Sequence, residues 1–181
     1  MKMHKATIII LSLFSLTQTF LFGQKTDFKT GVIDMYAYHI DTTKSSTDTV
    51  TFLIDSVQVT AKIQKNRVIA TCIFEQSKSV LIINLYSRDN DLVSAKIMEQ
   101  SPTMDDMYSN SFFYYKKGKL FDENYNRTIR PCIAIPMDKS IYELYGYNPA
   151  LNATFLKKFV LLLYNKIKPQ QYEVYKKPNE T

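Results

Sequence analysis

The sequence predicts an α+β fold, an antiparallel, meander-like β-sheet of about five to seven strands packed against one long C-terminal helix. Three observations predict it. Val57 to Met98 holds four short apolar runs separated by polar turn clusters. The aromatic run 112–115 and the pair Leu120-Phe121 flank a Lys-Gly turn. From Asn148 onward, apolar residues recur at helical spacing over about twenty positions. The same elements also fit a small β-barrel with a flanking helix, which is the alternative architecture.

Residues 1–23 have the three parts of a secretory signal peptide. Lys2 and Lys5 supply the positive start, Ile8 to Leu16 the apolar core, and Gly23 a small residue before Gln24, where cleavage is expected. The apolar run is short for a spanning helix and is broken by Thr17, Gln18 and Thr19, so no transmembrane span is expected after signal removal. No Cys follows the apolar core, so a lipoprotein anchor is not indicated. In style the segment resembles a bacterial secretory signal, and the expected location is periplasmic or extracellular. Residues 24–168 are then expected to form a single domain, with 169–181 as a polar, flexible tail.

Lys25 to Ile40 fits two readings. Ile33, Tyr36, Ala37 and Ile40 have helical spacing, whereas Val32, Tyr36, Tyr38 and Ile40 suit a strand. Asp41 to Asp48 is polar and reads as a loop. Val50 to Ile54 reads as a further strand, with Asp55-Ser56 as a turn or bulge. Val57, Val59, Ala61 and Ile63 then alternate with polar residues, the mark of a strand with one buried face. Lys65-Asn66 is a hairpin turn in which Asn is expected to supply a positive φ. Arg67 to Phe74 and Ser79 to Tyr86 are apolar on both sides, as central strands covered on both faces would be. Ser87 to Asp91 is a turn cluster, and a fourth run starts at Leu92.

Ser101 to Asn110 reads as a surface loop, and Lys117-Gly118 as the turn of an aromatic hairpin. Pro131 and Pro136 suit an extended edge segment. Asp138 is placed to cap a short helix that Gly146 ends. Asn148 is the expected N-cap of the long helix, with Pro149 in its first position and Pro169 as its stop. Its apolar arc comprises Leu151, Phe155, Phe159 and Leu162 beside Leu156, Val160, Leu163 and Ile167.

The chain carries a formal charge of +6, and loss of Lys2 and Lys5 with the signal leaves +4. Such a mild excess is ordinary solvated surface, and export argues against nucleic acid as a partner. Cys72 and Cys132 form a candidate disulfide in an oxidising compartment, against an alternative of two buried free thiols. The three glycines after position 23 build no phosphate-cradling loop. His39 is the single histidine there, so no histidine-rich metal centre and no cofactor are expected. The acidic pairs Asp89/Asp91, Asp105/Asp106 and Asp122/Glu123 read as turn residues.

Tyrosines are the remaining candidates. Tyr114 and Tyr115 flank the lysine turn, and Tyr142, Tyr145 and Tyr147 surround Gly146. These five are the candidate binding residues if they form an exposed patch for a sugar or a protein, and core packing is the other reading. With export, a well-patterned core and no assembled catalytic set, the sequence points to a non-catalytic module. It would bind a macromolecular partner in the envelope, as an immunity-type or inhibitor protein does. The alternatives are a small envelope hydrolase using carboxylates or His39, and a carrier of an apolar ligand.

Overall fold

A computed structural model of the chain describes residues 28–103, 108–126 and 145–176. In chain order the elements are α1 (Phe28–Thr42), β1 (Asp48–Ile54), β2 (Val57–Ile63), β3 (Arg67–Phe74), β4 (Ser79–Arg88), β5 (Asp91–Gln100), β6 (Tyr108–Lys116), β7 (Lys119–Asn126) and α2 (Ala153–Lys176). The seven strands lie in one antiparallel sheet in the order β1-β2-β3-β4-β5-β6-β7. β1 and β7 are its edges, so the sheet is an open meander and not the barrel.

The turns show why the meander forms. Asp89-Asn90 and Lys117-Gly118 each place two successive residues at positive φ, the geometry that lets a two-residue loop follow the strand twist. Asp55 and Lys78 take positive φ in the other hairpins. At the β2–β3 turn the expectation fails. Asn66 is not in the left-handed region, and Gln64 N donates to Arg67 O at 2.8 Å to close the turn.

Period-two alternation divides the sheet into two faces. One carries Val59, Ala61, Val68, Ala70, Cys72, Leu81, Ile83, Ala95, Ile97 and Phe113, all at most 1% exposed. α2 covers this face with Leu156, Val160, Leu163, Tyr164 and Ile167. Leu162, expected in the buried arc, is 53% exposed, and Tyr164 is buried instead. The first two turns of α2 dock through aromatic rings, with Phe74 5.9 Å from Phe155 and 5.6 Å from Phe159.

Two boundaries of α2 differ from expectation. The N-cap is Asn152, whose Oδ1 accepts from Phe155 N at 3.1 Å. Asn148 instead closes the preceding turn, accepting from Ala150 N at 3.0 Å. At the other end the helix passes through Pro169 and continues to Lys176. Pro169 is solvent-exposed, as is Asn165, the residue whose carbonyl it leaves without a donor, so water can serve that carbonyl. Two residues on, Gln171 is buried and anchors the helix. Its Nε2 donates to Gln64 O, Lys65 O and Ser87 Oγ at 3.1, 3.2 and 3.0 Å. The helix therefore runs on past Pro169 and is docked there through Gln171.

The segment with two readings is the helix α1. Thr30, Ile33, Tyr36, Ala37 and Ile40 are buried or half-buried, whereas Val32, Met35, Tyr38 and His39 are exposed. Threonine hydroxyls finish it, Thr43 Oγ1 donating to His39 O at 2.8 Å. α1 lies over the second face of the sheet, above β5, and so supplies the second layer that the two-sided apolar strands require. No helix among the described residues is long and apolar enough to cross a membrane.

Candidate functional site

The candidate site is a slot between α1 and the second face of the sheet. It is built from one cross-strand row. Tyr86 of β4 pairs with Ser94 of β5, which pairs with Tyr114 of β6. A serine between two tyrosines leaves a trough. The row is also where the regular ladders end, because register shifts follow both Tyr86 and Tyr114. The extra residues are Val93 of β5 and Phe121 of β7, and Ser87 and Tyr115 turn away from the row by the ordinary alternation of a strand.

α1 bridges the trough. Asp34, Ala37 and Asp41 stand at i, i+3 and i+7, on one side of the helix. Seven residues rise about 10.5 Å along a helix, close to the roughly 9.6 Å that separates alternate strands. The aspartates therefore meet the two tyrosines. Tyr114 Oη donates to Asp34 at 3.0 Å, and Tyr86 Oη donates to both oxygens of Asp41 at 3.0 Å. Between them small Ala37 faces small Ser94, and a cavity of about 210 Å³ remains. Tyr38, Lys96 and Phe112 complete its walls.

The slot's polar groups are held in fixed states. Arg67 pairs with Asp41 at 3.1 Å and donates to Asn84 Oδ1 at 3.0 Å. Burial raises the Tyr86 phenol, and the charge and hydrogen bond of Asp41 add to this, with Arg67 opposing. Burial also raises Tyr114, followed by its hydrogen bond to Asp34 and the charges of Asp34 and Asp122. Both phenols thus remain donors at neutral pH. The Lys96 ammonium lies 5.8 Å over the Phe112 ring and pairs with no carboxylate among the described residues. The arrangement offers fixed acceptors, fixed donors and aromatic surface, which suits recognition.

The residues singled out by sequence divide differently. Tyr114 belongs to the slot. Tyr115 points to the opposite face, where it is buried on α2's side of the sheet and its hydroxyl has no partner among the described residues. Tyr145 and Tyr147 are 1% and 4% exposed, with ring centroids 6.2 Å apart. They sit where Ser101 Oγ donates to Tyr145 O at 2.6 Å. Gly146 between them has φ +67°, and a Cβ there would meet Pro102 at 2.7 Å. These four tyrosines offer no exposed aromatic patch. Tyr142 lies outside the described residues, as do Asp105, Asp106 and the short helix expected from Asp138.

Cys72 is a free thiol, wholly buried, and its burial pushes the pKa up to about 12. The expected bridge is therefore not formed at Cys72, and Cys132 lies outside the described residues. His39 is exposed on α1, Asp89 lies in the β4–β5 turn and Asp91 opens β5, and Glu123 pairs with Lys157 at 2.6 Å. Asp122 stands on the face opposite Glu123. These groups do not converge as a hydrolytic centre would require.

A buried acid was not foreseen. Glu99 is 3% exposed, accepts from Asn148 N at 3.0 Å, and pairs across strands with Leu81 and Ser109. Asp34, Asp41, Tyr86, Ser94 and Lys96 were missed as a set. The one local signal was the i, i+3, i+7 spacing of Asp34, Ala37 and Asp41, which means nothing until the strand register is known. Comparison of the chain with models of known protein families, with curated proteins and with solved structures finds no match.

Proposed function

We propose that this chain is an exported, non-catalytic module that recognises a macromolecular partner in the cell envelope or outside the cell, in the manner of an inhibitor or immunity-type protein. The slot carries this reading. Its two acids are held by tyrosine hydroxyls and Arg67, so they are preorganised acceptors. Beside it α1 presents Met35 and Tyr38, 74% and 72% exposed, and Val32, 48% exposed. Polar groups in fixed positions next to exposed apolar side chains are what a recognition surface needs. The export expectation, with cleavage before Gln24, supplies the compartment.

The test immobilises residues 24–181 and, separately, the Ser94→Val variant, which fills the floor of the slot. Both are exposed to envelope extract, and bound material is identified by mass spectrometry or glycan analysis and rebuilt from purified components. We expect one component to bind the wild type directly and to be retained at least tenfold less by the variant. Failure of every candidate to bind in the purified system, or equal binding by the variant, overturns the reading.

A further inference from the structure

We infer that the slot beneath α1 is a subsite for one neutral sugar ring of a glycan; the inference rests on the recognition reading above and names its partner class. Size comes first. About 210 Å³ is room for roughly seven waters, enough for a single six-membered polyol ring.

Charge comes second. The slot contains Asp34 and Asp41, with Arg67 paired to Asp41 and Lys96 in the wall, while Asp122, across the strands from Tyr114, adds a negative charge outside the lining. An anionic ligand would approach Asp34, and a cationic one would approach Lys96. A neutral ligand meets neither penalty.

Hydrogen-bonding capacity comes third. Each carboxylate has about four acceptor sites, and the tyrosines use only part of them. Lys96 brings three donors, and the Ser94 hydroxyl both gives and accepts. A sugar hydroxyl also gives and accepts, so a ring of them can satisfy both kinds of group at once. Tyr38, in the wall and largely exposed, supplies an aromatic surface for the apolar face of the ring.

The experiment titrates residues 24–181 with three neutral probes, chitotetraose, cellotetraose and mannotetraose, and with free arginine and free glutamate as charged probes. Binding is read by calorimetry and by amide chemical shifts. We expect at least one tetraose to bind with shifts at Ser94, Lys96 and α1. Its affinity should fall at least tenfold in Ser94→Val and severalfold in Lys96→Met. Lys96→Met lies at the wall and keeps the test available should Ser94→Val lower the folded population. No binding of any tetraose, tighter binding of a charged probe, or undiminished binding by both variants overturns the inference. A purified protein partner that tetraoses do not displace also overturns it, while leaving the recognition reading in place. A slot-dependent tetraose complex with no macromolecular partner does the opposite.

Discussion

Gln171→Met tests whether α2 truly continues past Pro169. The substitution keeps side-chain length and helix propensity but deletes the amide that donates to Gln64 O, Lys65 O and Ser87 Oγ. Gln171 is 5% exposed, so water cannot simply replace it. Each hydrogen bond contributes about 1 kcal/mol net, and the two turn carbonyls lie near enough to the surface to recover part of the loss, giving a cost of about 2–3 kcal/mol. For a domain of this size that lowers Tm by about 5–10 °C. The assay is urea and thermal unfolding, with the exposed neighbour variant Gln170→Met as control, expected within about 0.5 kcal/mol of wild type. A Gln171→Met cost below about 0.5 kcal/mol would refute the docking. It would mean that Pro169 ends the ordered helix, as its residue type alone suggests.

Three further outcomes follow from the same contacts. Cys72 should make stability fall at alkaline pH: its folded pKa is raised to about 12 from 9.0, so its contribution is complete below about pH 9 and is lost as pH rises towards 12. Cys72→Val should flatten the first part of that decline in urea midpoints measured from pH 8 to 10.5, whereas the buried tyrosines still act above pH 10 in both proteins. Tyr86→Phe with Tyr114→Phe removes two of the ties between α1 and the sheet and leaves the Arg67–Asp41 pair and the Tyr36 Oη–Ser87 O hydrogen bond. Amide exchange should speed up across 28–42 while β2 to β5 stay protected, and equal protection of α1 would contradict its anchoring by Asp34 and Asp41. Asn152→Ala should cost about 1 kcal/mol in unfolding free energy as the true N-cap.

Much of the architecture was legible because its causes are local. Alternation at Val57, Val59, Ala61 and Ile63 reports a half-buried strand whatever lies above it. Asp89-Asn90 and Lys117-Gly118 favour tight hairpins through their own backbone preferences. Hairpins in succession give a meander. The helical face around Val160, Leu163 and Ile167 was equally local, but its ends were not. Asn148 and Asn152 are both competent caps, and only the chain's approach to Glu99 and the Phe74 cluster selects Asn152. Pro169 is a helix breaker by type, and burial of Gln171 across the β2–β3 turn overrides it.

Local patterns thus account for most of the strands, their antiparallel order, the buried face of α2 and the demand for a layer on each face of the sheet; they left 25–40 open between helix and strand and missed that β6 begins at Tyr108. Tertiary structure alone decided that α1 is that second layer, and it alone made the slot. Asp34 and Tyr114 are 80 residues apart, and Asp41 and Tyr86 are 45 apart. They meet because two turns of helix match two strand spacings, and because Ala37 and Ser94, the small residues between them, come face to face. That coincidence of register is a property of the packed pair of layers, and neither segment carries it alone.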